Sequence, residues 1–551
     1  MQCYKYPPSL PVETSIRFPS SLTRYLLKNI PTMGAGPVAT GGTDAAYAHL
    51  VNPNRKWYNN KRLIALNFWI LLLLITSSTN GYDGSMMNGL QSLPQWDGYF
   101  HHPTKGKLGL LNAIQNIGSL AAYPFSPYLS DGLGRRTTVF IGAFIMCAAT
   151  ALQTASVSVG MFIGARFLIG FGLTFAAGAA PMLVTEIAYP VYRAQLTSTY
   201  NSLWYSGAIV AAWTTFGSFK IQSTWAWRLP SVLQALPSIF QVALIFFVPE
   251  SPRWLISKGR DAQALKTLAY YHADGDENDG LVQYEFNEIK AAIELDREVA
   301  AKVGWKTLFA TPGNRRRMRI IIALAFFSQW SGNGLVSYYL TKVFITIGIL
   351  DPTIQLLING ILQIWNLCWA LLAASLVDRI GRRVLFLTSV AGMVVAFTMQ
   401  TACSAVYDQK KTESAGHAVI AFIFIFYAFY DIAFSPLIVS YTVEILPYEI
   451  RAKGFTVFNF AISLSLIFNQ YVNPIALDTI GWRYYIVYVV WLVFEGAFLY
   501  FFLIETKGRT LEETAALFDG EDAAAALAQA AHTGEERDEK GSSYSERVEK
   551  A

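Results

Sequence analysis

The sequence predicts an all-α membrane protein: twelve transmembrane helices in two six-helix halves, with cytoplasmic helices between them. Three observations carry this. Of 551 residues, 53% are hydrophobic and only 15% are charged, and the mean hydropathy is +0.32, too apolar for a soluble chain of this size. The apolar residues come in blocks of about 20, the length that crosses a bilayer as a helix. Three short charged motifs also occur twice, in the same order, once in each part of the chain.

The first span, 63–90, opens with Phe68-Trp69-Ile70 and the leucines from Leu71 to Leu74. It turns polar through Thr76 to Asn80 while still at membrane depth, and reaches Asp83. A carboxylate near a helix centre costs roughly 2.5–3.5 kcal/mol on insertion scales, so Asp83 is expected to face a polar cavity or a partner. The alternative is a carboxylate in water at the outer boundary. Gly81, Gly84 and Gly89 either loosen the helix or let a neighbouring helix pack closely. The other spans of the first half fall at 108–129, 137–155, 158–184, 196–217 and 230–248. Those of the second half fall at 318–347, 353–377, 384–404, 418–442, 452–476 and 483–504.

This divides the chain into a cytoplasmic tail (1–62), a half (63–248), a charged central loop (249–317), a second half (318–504) and a cytoplasmic tail (505–551). In the loop, Phe286, Ile289, Ile293 and Val299 recur at near-helical spacing among charges, which predicts amphipathic helices on a membrane-side surface. Residues 1–32 lack an apolar core, so no cleavable signal is expected there. Met33 offers a second possible start. The tail after Thr510 is Ala-rich and charged, helical at first and disordered from about Thr533. Loop charges nearly balance across the membrane, so the flanks decide orientation. Arg55, Lys56, Lys61 and Arg62 precede the first span, and Arg315, Arg316, Arg317 and Arg319 lead into the seventh. Both sets place the N terminus in the cytoplasm, and an even span count places the C terminus there too.

Composition also excludes function classes. A net charge of +5, with basic residues confined to loops, argues against a nucleic-acid partner. Cys3, Cys147, Cys368 and Cys403 show no paired spacing, so neither a disulfide framework nor a zinc site is expected. No nucleotide loop, metal cluster or nucleophile–base set stands outside the membrane pattern, so the chain does not read as an enzyme.

The repeat is specific. Asp131-Gly-Leu-Gly-Arg135-Arg136 returns as Asp378-Arg-Ile-Gly-Arg382-Arg383. Glu186, with Arg193 seven residues on, returns as Glu444 with Arg451 seven on. Glu250-Ser-Pro-Arg253 has a weaker echo in Glu505-Thr-Lys-Gly508. Three matches in register imply a duplicated six-helix unit with substrate between the halves near the midplane. Each Gly-Arg-Arg turn and each Glu fall at the cytoplasmic ends of helices in the same half. Glu186 with Arg135 or Arg136, and Glu444 with Arg382 or Arg383, are expected to act as charge-assisted latches that close and release during transport. Static salt bridges at the headgroup boundary are the alternative.

These residues resemble the sugar porter family of the major facilitator superfamily, over about residues 60–515. The signatures are Gly81-Tyr82-Asp83, the two Asp-to-Arg-Arg turns, Arg166-Phe-Leu-Ile-Gly170 and Pro181 with Glu186. Further along come Pro249-Glu-Ser-Pro-Arg-Trp254, Gln329-Trp-Ser-Gly332 with Tyr338-Tyr339, and Glu505-Thr-Lys-Gly508. The wording at 81–89 and 328–334 is similar to fungal lactose permeases and cellodextrin transporters. Ile504 departs from the usual Pro.

The resemblance implies proton symport, with Asp83 at the proton site and Arg166 as its partner. Burial favours the neutral acid and a nearby guanidinium favours the anion, so relative movement of the two would couple protonation to gating. It also implies sugar contacts at Asn201, Gln329, Asn333, Tyr338, Tyr339 and Asn366. Ser328, Gly334, Val439 and Ile462 depart from the family pattern. Val439 and Gly334 are small, which suggests free space beside a bound ring and therefore a second sugar ring. Trp204, Trp330 and Trp365 are candidates either for stacking on sugar or for packing. The expected function is thus proton-coupled import of a disaccharide or related glycoside at the plasma membrane, by a monomer, with no cofactor beyond the proton gradient. An exporter of a small metabolite, a hexose carrier and a nutrient sensor remain as alternatives.

Overall fold

The computed structural model describes residues 50, 55–302, 304–507, 514 and 517–519. Most of both tails read from the sequence lies outside these residues. Among the described residues the membrane part is a set of helical rods. The first half contains Lys61–Gln91, then Lys105–Ala122 continued by Ser126–Leu133, Arg135–Thr154, Val159–Ile187, Pro190–Ser218, and Trp225–Leu233 continued by Leu236–Leu244. The second contains Pro312–Trp330 continued by Asn333–Thr346, Pro352–Ile380, Arg382–Lys410, Glu413–Ala433 continued by Leu437–Ile445, Tyr448–Ile480 and Tyr484–Phe502. Taking each continued pair as one rod, these match the twelve predicted spans in order. The first rod begins where the Asn60 side chain accepts from the backbone N–H groups of Arg62 and Leu63, satisfying donors that the helix leaves unpaired.

Among the described residues, nine stretches are long and apolar enough to cross a membrane, and one of them, Lys453–Phe502, contains two rods. The fifth rod is not among the nine, and neither is the second. The second rod buries Asn112 and Gln115 inside the protein, which lowers its hydropathy without exposing polar groups to lipid. Large apolar side chains such as Phe68, Leu71, Phe144, Val490 and Phe501 stand exposed on the rods. Lipid is their natural solvent.

Small residues bring neighbouring rods into backbone contact. A Cβ at Gly81 would lie 1.8 Å from the Trp204 carbonyl oxygen, and one at Gly207 would lie 1.8 Å from that of Ser78. These two glycines fasten the first rod to the fifth. Gly118 and Gly170 fasten the second to the fourth in the same manner, at 2.1 Å from Phe167 O and 1.9 Å from Gln115 O. Lipid tails are as apolar as leucine, so this close packing is what holds such helices together. Overpacking typically costs about 1–3 kcal/mol and more against backbone. Gly81→Leu or Gly207→Leu should therefore abolish the monodisperse peak in detergent size-exclusion chromatography. Gly164→Leu, with nothing within 4 Å of its Cβ, should leave that peak intact.

Between the halves lie the helices Pro252–Ser257, Asp261–His272 and Gly280–Lys302. Phe286, Ile289 and Ile293 share a helix and pack on Trp254, Leu255 and Ala264. The Val299 side chain lies outside the described residues. The loop helices dock on the first half through Arg55 with Asp274 (3.1 Å), Asn60 with Asp274 (2.9 Å) and Arg193 with Glu285 (3.2 Å).

Candidate functional site

The repeated motifs build the same device at the same end of each half. Gly134 (φ 98°) precedes the third rod, and Glu250 Oε1 accepts from the backbone N–H of Arg135 (3.2 Å), Arg136 (3.3 Å) and Ser251 (2.9 Å). Gly381 (φ 105°) precedes the ninth rod, and Glu505 accepts from the backbone N–H of Arg382 and Arg383, both at 2.9 Å. A carboxylate at a helix N-terminus satisfies unpaired donors and favours the helix dipole. The weak sequence echo between Glu250 and Glu505 is thus one cap used twice. Burial pushes the Glu250 carboxyl above its ordinary range, while the N–H groups of Ser251, Arg136 and Arg135 pull it back.

The arginines divide their roles alike. Arg135 Nε lies 3.4 Å from Glu186, and its Nη1 lies 2.9 Å from Asp131. Arg382 lies 3.1 Å from Glu444. The second arginines turn back to carbonyls: Arg136 to Phe246 and Val248 (3.2 Å each), Arg383 to Tyr500 (2.7 Å). Of the two arginines open to each Glu in the sequence, the structure pairs the first. Arg193 reaches Glu285, and Arg451 Nε donates to Leu446 O at 3.3 Å. Arg253, Glu186, Arg193, Glu285 and Glu288 line a cavity of about 400 Å³. The Asp378 side chain lies outside the described residues. A double-mutant cycle should give a coupling of about 1 kcal/mol between Glu444 and Arg382 and none between Glu444 and Arg383. Equal coupling would contradict this division.

Asp83 is fully buried in the first rod. Its Oδ1 accepts from Gln234 Nε2 at 2.5 Å, and Gln234 Oε1 accepts from Gln153 Nε2 at 3.2 Å. Its Oδ2 has no hydrogen-bond partner. Arg166, also buried, donates to the Leu111 carbonyl (2.9 Å) and to Gln115 Oε1 (2.7 Å), leaving Nη1 without a partner. Asp83 and Arg166 each spend one arm on a side-chain amide and leave the other free, and no ion pair joins them in this structure. The two still interact electrostatically through the interior. Gln234, Gln153 and Gln115 were not singled out in the sequence, although amides inside apolar spans are the same kind of signal as Asp83.

In the second half, the predicted sugar contacts flank the break in the seventh rod, where Gly332 adopts φ 104°. Gln329 donates to Ser328 Oγ (3.1 Å), and its carbonyl accepts from Asn469 (2.6 Å). Asn333 donates to Ser328 O (3.1 Å) and Tyr430 Oη (3.0 Å), while its Oδ1 is unpartnered. Tyr339 departs from helical geometry (φ −137°, ψ 28°) and donates to the Gln470 carbonyl. The Tyr338 carbonyl accepts from Gln91 at 2.8 Å. Asn366 is buried with its Oδ1 unpartnered. The Asn201 side chain lies outside the described residues.

One expectation fails here. The space expected at Gly334 is filled, since a Cβ there would lie 2.1 Å from Asn469 Nδ2. The eleventh rod supplies its amide at Asn469 rather than at Ile462, and that amide occupies the room meant for a second ring. Trp330 and Trp365 spend their indole N–H groups on Ser465 O (3.2 Å) and Phe424 O (2.9 Å), and the Trp204 backbone abuts Gly81. Val439 is 37% exposed.

Sequence reasoning also missed Asp431. It is fully buried in the tenth rod, and its Oδ1 accepts from Tyr205 Oη of the other half at 2.6 Å, with Oδ2 unpartnered. Further bonds between the halves gather at the ends remote from the Gly-Arg-Arg turns. Asn88 meets Asn359 (3.2 Å) and the Leu340 N–H (3.1 Å), and Ser92 meets Thr341 (2.6 Å). Asn116 with Gln470 (2.7 Å) adds a link between the second and eleventh rods.

A membrane protein of two repeated helical halves, with carboxylates, a guanidinium and amides buried inside its helices and one carboxylate bonded across the halves, has the architecture of a secondary transporter. Residues 69–518 match the family described as "Sugar (and other) transporter", and the chain belongs to that family. It is a multi-pass membrane transporter of the major facilitator fold, not an enzyme. It is 28% identical to a high-affinity glucose transporter of Kluyveromyces lactis, over 79% of this chain and 81% of that protein. It is 29% identical to polyol transporter 5 of Arabidopsis thaliana, over 82% and 85%. The xylose transporter XylE of E. coli, in a partially occluded inward-open conformation, superposes with a TM-score of 0.67 at 23% identity, over 81% of this chain and all of that one. A second structure of XylE, described as a proton:xylose symporter and bound to 6-bromo-6-deoxy-D-glucose, gives 0.64 at 25% identity over 82% and 99%.

Proposed function

We propose that the protein is a proton-coupled sugar symporter that imports its substrate by alternating access. The observation that carries this is Asp83: a carboxylate fully buried in a membrane helix, with one oxygen unpartnered and Arg166 in the same interior. Buried charge of this kind is expensive and marks proton relays. The likeness to a proton:xylose symporter supports the same reading. For the sugar, Asn333 Oδ1, Asn366 Oδ1 and Asp431 Oδ2 are buried acceptors without donors, and sugar hydroxyls are donors. The Gly-Arg-Arg turns lie on the cytoplasmic side in this reading, at the plasma membrane, with both termini in the cytoplasm.

Within this class, a disaccharide or related glycoside is the substrate proposed, on the small and exposed Val439 of the tenth rod. The filled position at Gly334 favours a hexose or polyol instead, as do the substrates in the names of the relatives. Uptake of labelled lactose, cellobiose, glucose and a hexitol, in a host lacking its own carriers, decides between them. Accumulation of either disaccharide that collapses with a protonophore supports the first reading, and Val439→Trp should then cut disaccharide uptake several-fold more than glucose uptake. Accumulation of glucose or the hexitol alone supports the second. Failure to move any sugar defeats both.

A further inference from the structure

The helices between the halves carry a buried histidine that neither the latches nor the sugar contacts use. His272 is the last residue of the loop helix Asp261–His272 and is buried. Its Nδ1 lies 2.6 Å from Glu285 Oε2 on the next loop helix, and its Nε2 lies 3.3 Å from the Ile187 carbonyl oxygen. Ile187 is the last residue of the fourth rod. Carbonyls at such an end have no donor within the helix, and the helix dipole favours a cation there. The other Glu285 oxygen accepts from Arg193 of the fifth rod at 3.2 Å. One imidazole thus joins both loop helices to the fourth rod, and Glu285 carries the link on to the fifth.

Both ring nitrogens face acceptors. A carbonyl oxygen only accepts, and the ion pair of Glu285 with Arg193 requires the carboxylate, which also only accepts. A neutral imidazole has a single N–H. Placed on Nδ1, that proton leaves a lone pair against the Ile187 carbonyl. Placed on Nε2, it leaves a lone pair against the carboxylate. Imidazolium satisfies both partners and makes the bond to Glu285 charge-assisted.

The groups around the ring have partners of their own. Tyr189, between the fourth and fifth rods, meets it edge-on with ring centroids 5.4 Å apart, and Arg55, Asp279 and Tyr192 act on Tyr189 electrostatically. Arg55 pairs with Asp274 (3.1 Å), Arg62 donates to the Tyr270 carbonyl (3.2 Å), and Asp279 accepts from the Leu281 N–H (2.9 Å). Glu186, the residue before Ile187, lies 3.4 Å from Arg135, and Arg253 and Glu288 line the cavity beside Glu285. Histidine is the one side-chain type in this set whose charge ordinarily changes between about pH 5 and 8.

We propose that His272 is a proton-operated clamp that docks the central loop on the first half. The clamp is complete while the ring carries both protons and weakens as pH rises and one is lost. Ile187 follows Glu186 directly, so the docked loop also steadies the fourth-rod end of the Arg135–Glu186 latch and slows its release. Acid on the loop side therefore slows transport, and a symporter that delivers protons to that side is restrained by its own cargo. The transport part of this inference rests on the symporter reading; the docking part does not.

Hydrogen exchange of the purified full chain, corrected for the intrinsic pH dependence of exchange, tests the clamp. Amides of Asp261–His272 and Gly280–Lys302 should lose protection several-fold between about pH 6 and about pH 8, the range in which histidine titrates, while those of Arg382–Lys410 hold theirs. His272→Gln, neutral throughout, should remove that dependence. Equal protection of the wild type at both ends of the range, or a dependence that survives His272→Gln, overturns the clamp. The second arm measures sugar-for-sugar exchange in vesicles with the same pH on both sides, comparing wild type and His272→Gln at each pH so that Asp83 contributes equally. The variant should turn over several-fold faster at the acid end and match the wild type at the alkaline end. Equal rates at the acid end overturn the link to the latch. Absence of sugar exchange in the wild type would count against the symporter reading instead, and leaves hydrogen exchange to judge His272.

Discussion

Asp83→Asn should abolish accumulation of sugar against a gradient while leaving sugar-for-sugar exchange running. Asn has the shape of Asp and still offers Oδ1 to Gln234, so the 2.5 Å bond that seats the side chain can persist. What disappears is the ability to take up and release a proton on Oδ2, the oxygen without a partner. One charge moving through 100 mV is worth about 2.3 kcal/mol, roughly fortyfold in a concentration ratio at about 1.4 kcal/mol per tenfold. The variant should forfeit that whole factor and equilibrate labelled sugar, and sugar-induced alkalinisation of the medium should vanish with it. A variant that concentrates sugar to wild-type levels under the same gradient would remove Asp83 from the coupling site. Loss of exchange as well as accumulation would mean that Asp83 serves assembly rather than coupling.

The fold was legible because its signals are long. Apolar blocks of membrane length and motifs in register survive any error in boundaries, and the breaks at Gly134 and Gly381 fall where the repeat put them. The site was legible only where a charge interrupts an apolar run inside a known motif, as at Asp83 and Arg166. Asp431 and Glu495 interrupt apolar runs just as plainly, but stand outside the motifs and were passed over. Which partner a buried group takes was not legible at all. These rods are apolar nearly all round, so no polar stripe marks the inner face, and sequence spacing cannot say that Gln234 rather than Arg166 reaches Asp83. Gly334 shows the same limit from the other side. A small residue reads as empty space until the structure shows that Asn469, far away in the chain, fills it.

That pairing yields the other large expected effect. Asn469 Nδ2 donates to the Gln329 carbonyl at 2.6 Å, and its Oδ1 accepts from Tyr488 Oη at 3.1 Å. It therefore satisfies a carbonyl at the break of the seventh rod and braces that break from the eleventh and twelfth rods together. Asn469→Ala leaves the Gln329 carbonyl short of this partner, while the Tyr488 hydroxyl keeps Asn473 Oδ1 at 2.7 Å, and a buried unsatisfied group costs about 1–3 kcal/mol. Apparent sugar affinity should fall tenfold or more, since Gln329 and Asn333 sit on either side of the break. Gly334→Asn alone should also fail, because its Cβ would meet Asn469 Nδ2 at 2.1 Å. The double variant is the informative one. With Asn469 shortened to Ala, an amide on residue 334 can enter the vacated space, and sugar uptake should recover part of what either single change loses. The two changes are thus strongly non-additive, as residues in contact are. Additive losses across this cycle would show that Gly334 and Asn469 act independently, and that the space expected at Gly334 was not the space Asn469 fills.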